Sequence, residues 1–106
     1  MQTITLPKDT TARAAFLMDG DYMAPYLRPG EVVTVEWALP GIGECALFET
    51  EGKILLRQYC EDSFGNIYLF ALNRSCRDMD VTVPAGTPVV CLGRLMLDKT
   101  PPLPIN

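Results

Sequence analysis

Hydrophobic and polar residues alternate along much of this chain with the period of two that is typical of β-strands. In the segment "EVVTVEW" (residues 31–37), Val33 and Val35 fall on one face, whereas Thr34 and Glu36 fall on the other. This alternation predicts a strand with one buried face. Short apolar runs predict further strands at residues 13–18, 45–50, 53–60, 67–72, 81–83 and 89–97.

Turn-forming residues separate these runs. The clearest turn is Glu51-Gly52, which lies between two strand-like runs and predicts a β-hairpin. Gly93, inside the last run, predicts a bulge or a bend. Because no window carries a long helical pattern with caps, we expect a small, mainly β domain of twisted antiparallel sheets with little helix.

Composition limits the organisation and the partners of the chain. Its 106 residues are 48% hydrophobic and 21% charged, which is typical of one globular domain. We expect an N-terminal arm or edge segment at residues 1–12, a core at 13–97 and an extended tail at 98–106. The net charge of −4 and the scattered basic residues argue against binding nucleic acid with this chain alone, since neutralising phosphates requires a concentrated basic face.

The absence of histidine excludes Ser-His-Asp and Cys-His catalysis, and every zinc site that requires imidazole. The four cysteines form no Cys-x-x-Cys motif and are interpreted as small core residues of a reduced protein; a secreted protein with two disulfides is the alternative. The N-terminal residues do not resemble a signal peptide, and no apolar run reaches the roughly 20 residues of a membrane span. We therefore expect a cytoplasmic protein without a membrane segment or a cofactor.

Turn residues are most concentrated in the segment "MDGDYMAPYLRPGEVV" (residues 18–33). Loops with such constrained backbones often position a side chain for chemistry, and Tyr22 lies at the centre of this one. Asp19 and Asp21 are too few for a calcium or magnesium site, so they are interpreted as turn residues. Trp37 is expected to pack at the core or its rim, whereas an exposed Trp37 would mark a partner surface.

The order of these features resembles the C-terminal domain of LexA-like repressors, the S24 peptidase family, which includes phage cI-type repressors and UmuD-type proteins. In that family an apolar strand precedes a Gly-x-Ser-Met-x-Pro loop and a Pro-Gly turn. The corresponding segment here is "FLMDGDYMAPYLRPGEVVTVEW". The hairpin "GECALFETEGKILLRQY" and the segments "NIYLFALNRS" and "VVCLGRLML" follow in the same order as in the family, so the resemblance covers about residues 13–97.

The resemblance implies a serine-lysine dyad, in which the serine attacks a bond in the protein's own linker and a neutral lysine accepts the proton. The matching positions here are Tyr22 for the serine and Arg57 for the lysine. A guanidinium stays protonated and a phenol is a poor nucleophile toward amides, so the resemblance implies an inactive site. Tyr22 and Arg57 either form a stacked or hydrogen-bonded pair that plugs the cleft, or point separately into solvent. The other matching loop residues are Gly20, Asp21, Met23 and Pro25.

The predicted function is that of a catalytically inactive S24-type domain, which serves as the dimerisation or regulatory module of a phage-type or helix-turn-helix repressor. DNA would be contacted only through an upstream domain, and a regulatory protein is a further candidate partner. Two alternatives stay open: a domain with residual self-cleavage, and a stand-alone interaction protein that forms heterodimers. The last apolar run must be buried on both sides or present one face to a partner. The residues expected at a homodimer contact are Val90, Leu92, Leu95 and Leu97.

Overall fold

The computed structural model describes residues 2–4, 6 and 14–104, which contain eight strands and one short 3-10 helix, Arg74–Met79. All strands join one antiparallel sheet in the order β1-β2-β3-β8-β4-β5-β6-β7. The prediction of a small, mainly β, antiparallel domain with little helix is confirmed. The strands are β1 (Gln2–Ile4), β2 (Ala14–Leu17), β3 (Val32–Glu36), β4 (Cys45–Thr50), β5 (Lys53–Glu61), β6 (Ile67–Phe70), β7 (Val81–Val83) and β8 (Val90–Leu95).

Strands β4 and β5 form the hairpin that the Glu51-Gly52 signal predicts. Glu51 and Gly52 have φ angles of 50° and 75°. Positive φ at both central residues is the mark of a type I′ turn, whose twist matches that of the flanking strands. The register of the hairpin places Arg57 directly opposite Ala46, which fixes Arg57 in the middle of the sheet.

Strand β4 is buried on both faces and contributes alternate residues to two core clusters. Cys45 and Leu47 belong to the first cluster, and Ala46 and Phe48 belong to the second. Because both faces are covered, this strand is a continuous apolar run rather than an alternating one. The first cluster also contains Met18, Met23, Leu27, Val33, Val35, Leu56, Leu72 and Leu95, and the second also contains Leu69 and Val83.

The last strand, β8, lies between β3 and β4 and contains the bulge that Gly93 predicts. Gly93 is opposite Leu47, but Cys91 is opposite Phe48, so Leu92 is the extra residue on β8. A Cβ atom on Gly93 would lie 2.9 Å from the Val35 side chain on β3. Glycine therefore lets β3 approach closely at this point.

The four residues expected at a homodimer contact include one that the structure buries. Leu95 is only 6% exposed and belongs to the first core cluster, so it cannot reach a partner in this conformation. Leu92 and Leu97 pack against the same cluster. Val90, at 53% exposure, is the exposed member of the four. The sequence analysis left burial on both sides open as an alternative, and the choice depends on the long-range pairing that places β8 inside the sheet.

The ends of the chain are only partly described. Strand β1 pairs with β2 at the edge of the sheet. The rest of the predicted arm or edge segment at residues 1–12, apart from Leu6, lies outside the described residues. In the tail, residues 98–104 form no strand, and residues 105–106 are not described.

The four cysteines are free thiols; Cys45 is buried, whereas Cys76 lies in the 3-10 helix rather than in a strand. None of the described helical segments has the length and apolar character needed to cross a membrane.

Candidate functional site

The candidate site is formed where the loop after β2 lies against β5 and the 3-10 helix. The two ends of this loop are joined by two backbone hydrogen bonds, from Met18 N to Glu31 O and from Gly30 N to Met18 O, each 2.9 Å long. Within the loop, the Met18 and Met23 side chains are almost fully buried in the first core cluster. Met23, a predicted cleft residue, is therefore an anchor of the loop.

Asn73 connects this loop to the 3-10 helix. Its backbone N–H donates to Tyr22 O at 3.0 Å, and its side-chain Nδ2 donates to Asp21 O at 2.9 Å. Its side-chain oxygen accepts a hydrogen bond from Ser75 N at 3.0 Å, which caps the helix. Asn73 thus fixes the backbone of Tyr22 relative to the helix. The sequence analysis missed this role, although an asparagine before a short polar segment is a known capping signal.

Arg57 is 4% exposed, and its guanidinium donates to two backbone carbonyls. Nε donates to Met79 O at 3.2 Å, and Nη1 donates to Leu56 O at 2.8 Å. The Cζ atom lies 4.7 Å from the centre of the Tyr22 ring, within the range of a cation–π contact. Tyr22 and Arg57 are therefore stacked, as the first of the two sequence-based alternatives states, and do not point separately into solvent.

The carbonyl of Met79 is held in place by the residue that follows it. The Asp80 carboxylate accepts a hydrogen bond from Ala71 N at 2.8 Å and from both terminal nitrogens of Arg74, at 3.0 and 2.9 Å. This paired contact of guanidinium and carboxylate ties the two ends of the 3-10 helix together. It therefore positions the acceptor that Arg57 uses.

The surroundings shift the pKa values of the two side chains in opposite directions. Burial raises the pKa of the Tyr22 phenol, the negative charge of Asp19 raises it further, and Arg57 opposes both. Burial lowers the pKa of Arg57, while Tyr22 and Asp80 oppose that shift. At neutral pH the pair is a neutral phenol and a charged guanidinium. The pair offers neither a nucleophile nor a general base.

Cys76 is a further chemically reactive side chain near this pair. The Cys76 thiol lies 3.8 Å from Asp21 Oδ1, and burial, followed by the charge of Asp21, raises the pKa of this thiol. A raised pKa disfavours the thiolate, which is the reactive form. In the described part of the chain, no cluster of three or more His, Cys, Asp or Glu side chains could hold a metal ion.

The other predicted loop residues leave room for the Tyr22 ring, bond to Asn73 or line a neighbouring cleft. A Cβ atom on Gly20 would lie 3.1 Å from the Tyr22 ring, so glycine leaves room for the aromatic side chain. Asp21 contributes its carbonyl to Asn73, as described above. Pro25 follows a cis peptide bond and lines a cleft of about 380 Å³ with Tyr26 and Gln58. Of the predicted loop residues, the structure places Gly20 against the Tyr22 ring and Met23 in the core, whereas Pro25 lines a separate cleft.

Comparison of the chain with protein-family models, with curated proteins and with solved structures finds no significant match. The resemblance to LexA-like repressors therefore rests on the residues described above and stays a prediction.

Proposed function

We propose that this chain is a non-cleaving domain of the LexA-like class, which acts in assembly or regulation rather than in catalysis. The supporting observation is the contact between Tyr22 and Arg57, with Cζ 4.7 Å from the ring centre. The resemblance requires these two positions to be adjacent in space, although they lie on separate elements, and they are adjacent. Their side chains cannot perform the reaction of a serine and a lysine.

The proposed role is that of a dimerisation or regulatory module of a helix-turn-helix repressor, in the cytoplasm and without a cofactor. DNA would be contacted by a separate domain. In such a repressor the Tyr22–Arg57 pair would prevent self-cleavage, because the phenol stays protonated and the arginine cannot accept a proton. Release from DNA would then depend on a ligand or a protein partner.

A cleavage assay tests the catalytic part of the proposal. The wild-type chain, Tyr22→Ser, Arg57→Lys and the double variant are incubated at mildly alkaline pH with a linker peptide that contains an Ala-Gly bond. We expect no product from the wild type over several days, and slow cleavage only from the double variant, because both groups of the dyad are needed. Tyr26→Ser, which alters an exposed tyrosine of the same loop, is the matched control.

Two results would contradict the catalytic part. Cleavage by the wild type that is lost in Tyr22→Phe would favour the alternative of an active peptidase. A double variant whose introduced serine and lysine side chains do not meet in its own structure would remove the reason for equating these positions with a dyad.

Sedimentation equilibrium from low micromolar to about 100 µM tests the assembly part. We expect a homodimer within this range, which corresponds to a binding free energy of roughly −6 to −8 kcal/mol. A monomer at every concentration would contradict a role based on homodimerisation.

A second candidate function, that of a heterodimerising interaction protein, is favoured by the turn after β3. Leu39 and Ile42 in this turn are 77% and 61% exposed, and Trp37 beside them is 70% exposed rather than buried in the core. Several exposed apolar side chains within one turn are typical of partner surfaces. Added to an active LexA-like domain, the chain would slow self-cleavage of that domain, and Leu39→Ser with Ile42→Ser would abolish the effect. Phe64→Ser, which alters an exposed residue of another turn, is the control.

A further inference from the structure

The tail after β8 contains a segment that can accept hydrogen bonds but has few donors. In "TPPLP" (residues 100–104), three of the five residues are prolines and lack a backbone N–H. Proline fixes its own φ, and it restricts the preceding residue to extended conformations. The segment therefore favours the polyproline II conformation and cannot pair regularly with a β-strand.

Gln58 supplies the donor that this segment needs. Its side chain is 1% exposed, and Nε2 donates to Pro101 O at 2.8 Å and to Gly43 O at 2.9 Å. A longer contact of 3.4 Å reaches Pro102 O. Because a buried amide without acceptors is costly, these carbonyls stabilise Gln58 in this position. Gln58 follows Arg57 on β5, so the tail is bonded to the strand that carries the candidate site.

A cleft of about 380 Å³ lies beside the bonded tail. Pro102, Leu103 and Pro104 line one part of it, and Tyr26 and Leu72 line another. Tyr26 is 42% exposed, so its ring is accessible from solvent. Grooves lined by aromatic rings and furnished with a side-chain donor are the usual receptors for proline-rich segments, whose own carbonyls accept the hydrogen bonds.

We infer that Gln58, with Tyr26 and Leu72 across the cleft, forms a binding site for an extended proline-rich peptide, and that the Gln58 donor of this site is taken by Pro101 and Pro102 of the same chain. The tail itself indicates the class of ligand. It is a segment with consecutive prolines whose carbonyl oxygens reach Gln58 Nε2. Because the tail is covalently attached, its effective concentration is on the order of millimolar. A proline-rich partner binds once the tail is displaced. The inference is independent of the proposed LexA-like function.

The test uses the full-length chain with the four substitutions Pro101→Gly, Pro102→Ser, Leu103→Gly and Pro104→Ser. Binding of a fluorescently labelled Thr-Pro-Pro-Leu-Pro peptide is measured by anisotropy. We expect this tail variant to bind the peptide at least about tenfold more tightly than the wild type, because its tail loses the extended conformation that proline imposes and competes less well for Gln58. Adding Gln58→Leu should weaken binding about tenfold, since one hydrogen-bonded donor is lost. Thr-Ala-Ala-Leu-Ala is the control peptide.

A second measurement uses the wild-type chain and does not depend on the folding of a variant. The two Gln58 side-chain amide hydrogens should exchange with water at least about a hundredfold more slowly than those of an exposed amide, because both are buried and bonded. Exchange at the rate of an exposed amide would overturn the inference. So would equal affinity for the two peptides, or a folded tail variant that binds neither.

Discussion

Two arginines flank Ala46 in the same row of the sheet, yet they have opposite surroundings. Arg57 on β5 and Arg94 on β8 are both register partners of Ala46. Arg57 is buried and faces a tyrosine ring and two carbonyls, whereas the Arg94 side chain is 34% exposed and pairs with Glu36 and Glu44. Among the described residues, the ion pairs do not include Arg57.

The difference shows that the position of an arginine in the fold determines whether its charge is desolvated by burial or screened by solvent. Burial lowers the pKa of Arg57, whereas the hydrogen bond and charge of Glu36 raise the pKa of Arg94. A buried guanidinium is stable only with its acceptors in place, while an ion pair near the surface contributes little to stability. We therefore expect Arg57 to be the more sensitive of the two, although both are arginines in apolar strands.

The largest expected effect is that of Arg57→Ala. We expect this change to lower the free energy of unfolding by about 2–4 kcal/mol, because the Met79 and Leu56 carbonyls lose a donor and a cavity forms beside Tyr22. Arg94→Ala is the matched control and should cause a much smaller loss. Urea unfolding of both variants measures the difference, and equal losses would contradict the contrast.

Arg57→Met separates the charge of Arg57 from its volume. Methionine fills most of the space and avoids the desolvation of a charge, so its loss should be smaller than that of Arg57→Ala, about 1–2 kcal/mol. A methionine variant as unstable as the alanine variant would show that the hydrogen bonds to the carbonyls account for the whole effect.

The next effect concerns the strand pair that carries Arg94. Gly93→Ala should lower the free energy of unfolding by about 1–3 kcal/mol, because the new methyl group would meet Val35 at 2.9 Å and the Glu36 carbonyl at 3.0 Å. Gly41→Ala is the control, since its nearest contact is the flexible Glu44 carboxylate, at 3.1 Å. Amide chemical shifts should change around Glu36 and Arg94 but not around Tyr22. A chemical-shift change centred on Tyr22, the ring partner of Arg57, would show that a change beside Arg94 reaches Arg57 and that the two arginines are coupled.

Local signals predicted the parts of the fold that local chemistry determines. The Glu51-Gly52 turn specified the hairpin, and Gly93 specified the bulge, because both depend on backbone geometry at one or two residues. Alternation placed Val33 and Val35 on the buried face of β3. These elements follow from short-range rules, so the sequence alone was sufficient to predict them.

Long-range pairing determined what the sequence could not show. The insertion of β8 between β3 and β4 buried Leu95, which the apolar pattern placed at a partner surface. At the site, the positions of Tyr22 and Arg57 were predicted from a resemblance in motif order, but the role of Gln58 depended on where the tail returns. A buried glutamine next to an arginine gives no local indication of a distant proline segment.

A smaller effect is expected on the pH dependence of stability. Because the pKa of Tyr22 is raised in the folded chain, mainly by burial, the unfolded phenol ionises first as the pH rises. Its contribution is fully present below about pH 10 and is lost as the pH rises through the folded-state pKa. Tyr22→Phe should therefore reduce the loss of stability between about pH 9 and pH 11, as measured by urea unfolding at each pH. Tyr26→Phe is the control, and an equal reduction in both variants would contradict the assignment.

The smallest expected effect is the dependence of the Arg94 pair on salt. Glu36→Gln should lower the free energy of unfolding slightly at low ionic strength and not measurably at about 1 M salt, because charges this exposed are screened. Arg57→Met should lose the same free energy at both salt concentrations, since its partners are carbonyls and a ring shielded from ions. Salt dependence in Arg57→Met would mean that mobile ions reach the Tyr22–Arg57 pair. The buried Arg57 would then respond to salt as the partly exposed Arg94 does, which would contradict the contrast between the two arginines.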